Sequence, residues 1–381
     1  MSAKSVVVIV TTSRADYGLL LPLMREMVAD PDHFDVKVLV TGTHLSIHHG
    51  RTFDHFDRAV EVEYVLIPCT PTTDAYAGAA LAIGSAITQI TAALQIIKPD
   101  LMVVLGDRYE ALAATIAAYT MRVPVAHIHG GEVTGGILDE GYRHAITKMS
   151  HLHLVAAEEF AVRVRRMGEE PDRVHVVGAL GTSDLRYMPR ELVVPFTGEY
   201  VLLCVHPETA DGGSEVARAV ANAMALLGTN RHDLSFVIFR SNADPMGHDT
   251  LTGWSRLSTL LGARRVLYVL DEPRDRYVNW MRYARVVVGN SSSGVIEAPA
   301  IGVPSIDVGS RQDGRPRAES VRHVVVDVEL ILRATEAALD EKTSFTDHAW
   351  AAQTDVARRI CDVIRSTDLP GTLQKRFHDE G

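Results

Sequence analysis

Short runs of β-branched and other apolar residues alternate along the chain with stretches whose apolar positions recur at helical spacing. The runs in the first half predict strands at 6–10, 36–41, 61–67, 101–105, 125–129, 153–156 and 175–177. Those in the second half predict strands at 200–205, 236–239, 265–269, 286–288, 305–308 and 323–326. Strands that are apolar throughout and separated by helices indicate parallel sheets covered on both faces.

The stretches with helical spacing fall between most of these strands. They predict helices at 17–27, 78–97, 109–121, 142–150, 158–167, 214–227, 248–261, 275–283, 295–300, 328–339 and 347–365. The alternation breaks at 187–199, which holds Pro189, Pro195 and Gly198 and therefore predicts a linker. We predict an α/β protein of two doubly wound, Rossmann-like domains facing a central cleft. The first covers 1–188, the second 189–346, and 347–381 forms a helix crossing back to the first domain and a tail.

Composition narrows the functional class. The chain has 381 residues, 23% of them charged, and a net charge of −10, which argues against a general binder of nucleic acid or anionic membranes. Cys69, Cys204 and Cys361 lie far apart without metal spacing, so a disulfide framework is not indicated and a reducing cytoplasm fits. We expect no signal peptide and no run approaching the roughly 20 apolar residues that cross a membrane.

A loop of small polar residues, Gly-Asn-Ser-Ser-Ser-Gly at 289–294, follows the predicted strand 286–288 and precedes the predicted helix 295–300. We call 289–294 the serine loop. Such a junction directs backbone N–H groups, three hydroxyls and a helix dipole toward one spot, which suits an anion. An ordinary serine-capped turn explains the same residues equally well. The local sequence leaves both interpretations open.

Polar residues also follow most of the other strands, where ligands of doubly wound sheets bind. Arg14 follows the first strand and suits a phosphate. Acid–base candidates lie after later strands, at Asp107, Glu132, Asp139, Glu140 and His206. The histidines 127, 129, 144, 151 and 153 lack an HxxxH pair on one helix, which disfavours a metal site. The basic cluster 163–166 is typical of a solvated helix face. Motifs of P-loop NTPases, α/β-hydrolase esterases and NAD enzymes are missing from the sequence.

Eight motifs carry a family resemblance: SRADYG, GDRYEAL, HIHGGE, RHAITKMSHLH, HPET, SNAD, GNSSSGVIEAP and GVPSIDVGSRQDGR. They occur in this order over roughly residues 6–330 and resemble the hydrolysing UDP-N-acetylglucosamine 2-epimerases of sialic and legionaminic acid biosynthesis. The resemblance implies a GT-B-like fold. It also implies removal of the sugar C2 proton as UDP leaves C1, then addition of water to the resulting 2-acetamidoglucal. The products would be N-acetylmannosamine and UDP, without metal or cofactor.

The same resemblance implies roles for individual residues. The substrate-binding candidates are Arg14, Arg108, Arg143, Asn242, Ser291, Ser292, Glu297 and Arg311. Of these, Ser291 and Ser292 would hold the phosphates, and Glu297 the ribose hydroxyls. His206 would lie beside the diphosphate. Asp107 and Glu132 would transfer protons, assisted by Asp139 or Glu140. His129 stands where many relatives carry glutamate.

Several functions remain open from the sequence alone. The same hydrolysing reaction on UDP-2,4-diacetamido-2,4,6-trideoxyglucose is the main alternative. A non-hydrolysing epimerase, a GT-B glycosyltransferase and a non-catalytic sugar-nucleotide sensor are the others. The resemblance further implies a nucleotide-sugar partner and a homo-oligomer, either dimer or tetramer.

Overall fold

The computed structural model describes residues 4–47, 51–69, 76–134, 138–185, 188–192, 194–196, 198–206, 215–239, 247–269, 272–341 and 355–379. Its contacts divide the chain into two compact units. The first unit comprises Met1–Glu132, Asp139–Asp184 and Gln353–Gly381. The second comprises Val133–Leu138 and Leu185–Ala352. Each unit is therefore assembled from segments that are separate in the sequence.

The first unit contains a seven-stranded parallel sheet with the order β3-β2-β1-β4-β5-β6-β7. Its strands are β1 (Ser5–Thr11), β2 (Phe34–Val40), β3 (Glu63–Leu66), β4 (Leu101–Leu105), β5 (Val125–Ile128), β6 (Leu152–Val155) and β7 (Val174–Val176). Its first five helices are α1 (Arg14–Val28), α2 (Tyr76–Ile97), α3 (Tyr109–Thr120), α4 (Asp139–Met149) and α5 (Glu158–Arg166).

Alternate residues of β1 enter two different cores, as the pleat of a strand requires. Val7 and Ile9 join a cluster built from α1, whereas Val8 and Val10 join a cluster built from α2 and α3. The end of the chain completes the first of these clusters. Its residues Ile360 and Ile364 pack there beside α1.

The second unit contains a six-stranded parallel sheet with the order β10-β9-β8-β11-β12-β13. Its strands are β8 (Tyr200–Cys204), β9 (Ser235–Phe239), β10 (Val266–Val269), β11 (Val286–Gly289), β12 (Ser305–Val308) and β13 (Val321–Val324). Its helices are α6 (Glu215–Asn230), α7 (Gly247–Leu261), α8 (Arg274–Arg282), α9 (Ser292–Val295), α10 (Glu297–Ala300) and α11 (Val328–Asp340). Helices α12 (Val356–Ser366) and α13 (Leu369–Thr372) follow and belong to the first unit.

The thirteen predicted strands and their parallel pairing are confirmed, but the helix predicted at 295–300 is wrong in form. Two single turns, α9 and α10, stand in its place, with Ile296 between them. Pro299 has no backbone N–H to bond the carbonyl four residues earlier, so a continuous ladder cannot form across the break. Of the helix predicted at 347–365, the structure has Val356 onward as helix α12, and residues 347–354 lie outside the described residues.

The expectation that no run approaches membrane-spanning length is also wrong. Helix α2 contains a 21-residue span, Ala77–Ile97, that is long and apolar enough to cross a membrane by length and composition. It lacks charged residues and mixes apolar residues with glycine, serine, threonine and glutamine. Its buried face, including Ile90 and Leu94, packs into the core beneath the first sheet, as the helices of an α/β protein do.

Candidate functional site

The strand order of each sheet reverses beside its first strand. In the first unit the reversal lies between β1 and β4, and in the second it lies between β8 and β11. Loops that leave the carboxyl ends of two such strands diverge to opposite faces of the sheet and open a crevice there. Ligands of such folds therefore bind beside the ends of β1 and β4 in the first unit and of β8 and β11 in the second.

Arg14 and Arg108 begin helices beside the first switch point. Ser13 caps α1 in a capping box with Asp16, which makes Arg14 the first residue of that helix. Arg108 caps α3, and its guanidinium donates to the carboxylate of Glu110 at 3.1 and 3.3 Å. Glu110 is fully buried, so this pair holds Arg108 against the sheet. Glu110 was not among the candidates predicted from the sequence.

The buried side chain of Arg143 on α4 binds two carboxylates of the first unit. Its side chain is only 1% exposed, and its guanidinium donates to the carboxylates of Asp107 and Glu140 and to the backbone carbonyl of Glu132. Although burial lowers the pKa of Arg143, the facing carboxylates outweigh burial and raise that pKa above its ordinary value. The side chains of Asp107 and Glu140 are 25% and 29% exposed, so both can meet a ligand. Asp139 lies half-buried at the start of the same helix.

Glu132 lies in a turn that follows β5. Its carboxylate pairs with Nδ1 of His129, and its side chain is 3% exposed. The structure therefore brings Asp107, Glu132, Glu140 and Arg143 together at the ends of β4 and β5. The resemblance placed the three carboxylates among the catalytic candidates and Arg143 among the substrate-binding candidates, and it did not imply that Arg143 would be their common partner.

The other histidines considered as metal ligands have different partners. His127 contacts Thr147 and the carbonyl of Gly106, and burial lowers its pKa to about 3. His144 contacts Glu140, and His153 contacts Glu169. Among the residues that the structure describes, no group of three or more His, Cys, Asp or Glu side chains has a geometry suited to a metal ion.

In the second unit, the serine loop leaves β11 directly beside the end of β8. Gly289 pairs with Cys204 and has a φ of +153°. A Cβ atom built on it would lie 2.0 Å from the carbonyl oxygen of Cys204, so only glycine fits here. This close approach joins the serine loop to the segment that carries His206.

Asn290 clamps that junction with its side chain. Its Oδ1 accepts from the His206 N–H at 2.7 Å, and its Nδ2 donates to the His206 carbonyl at 2.9 Å. Its own carbonyl accepts from Gln312 at 2.8 Å and from Arg311 at 3.1 Å. His206, Arg311 and the serine loop are thus held as one cluster at the second switch point.

The serine hydroxyls form a chain that runs inward from the surface. Ser291 caps α9 and lies 2.9 Å from the hydroxyl of Ser293, which in turn lies 2.6 Å from the hydroxyl of Tyr277. Tyr277 also donates to the thiol of Cys204 at 3.6 Å. Although burial raises the pKa of that thiol, hydrogen bonding to the neighbouring His206 outweighs burial and lowers the pKa below its ordinary value. Ser291 and Ser292 remain partly exposed at the outer end of the chain.

Glu297 is buried and lies 3.5 Å from the guanidinium of Arg274. Because α9 is a single turn, the helix dipole predicted for the serine loop is weaker than a long helix would supply. Backbone N–H groups, hydroxyls and Arg311 are the groups that can meet an anion here. Asn242 lies outside the described residues. Tyr277, Gln312 and Arg274 were not singled out from the sequence, although Gln312 lies within the GSRQDGR motif.

Both units are doubly wound, parallel α/β folds with polar residues at the switch point. The chain is therefore a two-domain α/β protein of the doubly wound class. Solved structures share this fold. The Methanocaldococcus jannaschii UDP-GlcNAc 2-epimerase, solved in complex with UDP-GlcNAc and UDP, matches with a TM-score of 0.79 at 18% identity, over 95% of this chain and 100% of that one. The architecture is therefore the GT-B-like fold of such epimerases.

The sequence profile of the UDP-N-acetylglucosamine 2-epimerases matches residues 26–365. This chain belongs to that family. It is 32% identical over 343 residues to the UDP-N,N'-diacetylbacillosamine 2-epimerase (hydrolyzing) of Legionella pneumophila, covering 88% of this chain and 89% of that protein. It is 33% identical over 391 residues to the UDP-N-acetylglucosamine 2-epimerase of Neisseria meningitidis, covering 97% and 98%.

Proposed function

We propose that this protein is a hydrolysing 2-epimerase that converts UDP-N-acetylglucosamine and water to N-acetylmannosamine and UDP. The observation that carries the proposal is that the buried Arg143 binds the carboxylates of Asp107 and Glu140 and the backbone carbonyl of Glu132, so that three acidic residues lie together. Inversion at C2 requires a proton to leave one face of the sugar and another to arrive at the opposite face. A site with several carboxylates can supply both a base and an acid.

The elimination step needs a base and a stabilised leaving group. A carboxylate takes the C2 proton, the C2–H electron pair forms the C1=C2 bond, and the C1–O bond breaks with its pair leaving on UDP. Asp107 and Glu132 are the proposed proton-transfer residues, with Asp139 or Glu140 assisting. The guanidinium of Arg143 offsets the mutual repulsion of Asp107 and Glu140, which would otherwise oppose their lying together.

The second step restores a saturated sugar. A protonated carboxyl delivers its proton to C2 from the face opposite the one first attacked, and water adds to C1 while losing a proton to a carboxylate. The product is the free sugar with inverted C2. This assignment makes the reaction a net hydrolysis, which distinguishes it from the non-hydrolysing reaction that returns a UDP-linked sugar.

The second unit supplies the proposed site for the leaving group. Ser291, Ser292 and Arg311 would hold the diphosphate, with His206 beside it and Glu297 on the ribose hydroxyls. The clamp by Asn290 supports this grouping, because it holds His206 and Arg311 at the serine loop. Hydrogen-bond donors that are already in position stabilise developing phosphate charge without reorganisation.

UDP-2,4-diacetamido-2,4,6-trideoxyglucose is the second candidate substrate, favoured by the hydrolysing Legionella pneumophila relative. Incubating the pure protein with each sugar nucleotide and following UDP and free sugar separates the candidates. Release of UDP and N-acetylmannosamine from UDP-N-acetylglucosamine is the expected result. Recovery of the sugar still linked to UDP would refute hydrolysis, and no turnover of either substrate would refute both candidates.

Two substitutions test whether the first unit transfers protons and the second unit binds UDP. Ser292→Ala should weaken UDP binding and turnover together, since it removes a hydroxyl from the proposed diphosphate site. Glu132→Gln should abolish turnover and leave UDP binding unchanged, since it removes only a proton-transfer group. Calorimetric UDP titration and initial rates measure both effects. The opposite pattern would mean that the two units have been assigned the wrong way round.

A further inference from the structure

We propose that His129 and Arg163 are positioning residues that hold the Glu132 carboxylate in the orientation needed for proton transfer. This inference rests on the proposed function, in which Glu132 acts on the sugar. Neither residue is placed on the substrate. Both act through the turn 129–132. The His129 ring binds the Glu132 carboxylate, and Arg163 binds the carbonyl of Gly131.

The backbone of His129 is the first observation. Strand β5 ends at Ile128, one residue earlier than predicted, and His129 adopts a left-handed conformation with a φ of +65°. This conformation is unfavourable for a residue with a Cβ atom. The backbone N–H of His129 donates to the carbonyl of Leu154 at 3.1 Å, which ties this unfavourable conformation to the neighbouring strand β6. Backbone strain of this kind persists where the surroundings impose it, and it concentrates at functional sites.

The ring of His129 is held on both nitrogens. Its Nε2 accepts the backbone N–H of Leu180 at 3.3 Å, so Nε2 carries no proton in this arrangement. The remaining nitrogen, Nδ1, is then the protonated one, and it donates to Oε1 of Glu132. One side of the ring is thereby anchored to the turn after β7, and the other side orients the carboxylate.

Arg163 holds the same turn from a third direction. Its guanidinium donates to the carbonyl of Gly131, while Arg143 donates to the carbonyl of Glu132 at 3.1 Å. Gly131 has a φ of +77°, and a Cβ atom there would lie 2.6 Å from the carbonyl oxygen of Phe160, so the turn packs directly on α5. The prediction that the cluster 163–166 is a solvated face is therefore wrong for Arg163. Arg166, at the end of the same helix, is exposed as predicted.

These contacts fix the direction of one carboxylate more tightly than its own side-chain torsions would. A proton-transfer group that shifts by about 1 Å loses on the order of a hundredfold in rate. Removal of either positioning residue should therefore lower kcat and leave nucleotide binding intact. A purely structural role would lower stability and all functions together.

The experiment compares paired variants of each residue in the full-length protein. His129→Ala removes the donor, whereas His129→Asn keeps an amide donor near the place of Nδ1 and tolerates a positive φ. Arg163→Met removes the donor to Gly131, whereas Arg163→Lys keeps one. We expect the first variant of each pair to lose kcat by about a hundredfold, with KM and the Kd of UDP within about threefold of wild type. The second variant of each pair should recover most of the loss, and Arg166→Met should behave as wild type.

A second readout does not depend on activity. Nitrogen-15 NMR of labelled histidine rings should show His129 protonated at Nδ1. The signal of His129 among the 17 histidines is the one that is absent from the spectrum of His129→Asn. Glu132→Gln should shift that proton signal. Protonation at Nε2, equal losses in both variants of a pair, or parallel loss of UDP affinity would overturn the inference. If the wild-type protein releases no UDP from either sugar nucleotide, the proposed function is wrong. The protonation of the His129 ring still tests its contact with the Glu132 carboxylate in that case.

Discussion

Replacing Asn290 with alanine should separate the serine loop from the segment that carries His206. The side chain of Asn290 is fully buried and makes two hydrogen bonds to one residue, at 2.7 Å to the N–H and 2.9 Å to the carbonyl of His206. Alanine removes both partners at once. His206 is itself only 8% exposed, so water cannot readily replace what is lost.

The magnitude follows from the two groups left behind. A buried backbone donor or acceptor without a partner costs about 1–3 kcal/mol, so the variant should lose roughly 2–6 kcal/mol of the unfolding free energy of the second unit. That is a large share of the roughly 5–15 kcal/mol that stabilises a typical domain. Asn290→Asp should lose less at acid pH, because a protonated carboxyl can still donate to the His206 carbonyl. Its buried carboxyl should have a raised pKa in the folded state, so stability should rise as pH falls.

Urea titration followed by tryptophan fluorescence measures this loss. Trp254 and Trp280 are both buried in the second unit and report on its unfolding. Asn230→Ala, at the exposed end of α6, is the matched control and should change stability by less than about 0.5 kcal/mol. A loss below about 1 kcal/mol for Asn290→Ala would refute the reasoning, since the clamp would then be dispensable.

Two further predictions concern the fold of each unit. Burial raises the pKa of Glu169, but His153, Lys148 and Lys375 outweigh it and lower that pKa to about 2 from 4.5. The ionised carboxylate should therefore contribute up to about 3 kcal/mol to the free energy of unfolding above pH 4.5, and this contribution should be lost toward pH 2. Urea titrations across this pH range measure the dependence, and Glu169→Gln should abolish it. Gly289→Ala should prevent the second unit from folding, as judged by tryptophan fluorescence, because its Cβ atom would overlap the Cys204 carbonyl. Gly84→Ala is the control, because a Cβ atom at this position in the middle of α2 meets nothing within 4 Å. This variant should raise the melting temperature, and a lower melting temperature would contradict the steric explanation.

Much of the fold was predictable because it rests on local periodicity. Continuous apolar runs gave the strands, and the alternation with helices gave parallel pairing in two units. The error at 295–300 has a local cause too, since Pro299 lies inside an otherwise helical pattern. The strand order within each sheet depends on pairings between distant segments, and periodicity does not encode those.

The sequence predicted which polar residues follow the strands, but not the partners of their side chains. Residues such as Asp107 and Ser291 follow strands, and position after a strand can be read from sequence. The partners of Arg143, Asn290 and Arg163 lie on other elements, so only the folded chain reveals them. The left-handed conformation of His129 was missed because the apolar run before it is typical of a strand that continues.

The order in which the chain is synthesised matters for the first unit. Its core contains Ile360, Cys361 and Ile364, whereas most of its other members lie before residue 185. Arg365 also binds Asp30, and Lys375 binds Glu169, so segments synthesised before and after the second unit together complete the first unit. The intervening second unit has its own core and can fold before residues 356–369 complete the core of the first unit. A chain that ends at residue 352 would therefore contain the whole second unit, whereas the apolar face of α1 in its first unit would be left uncovered.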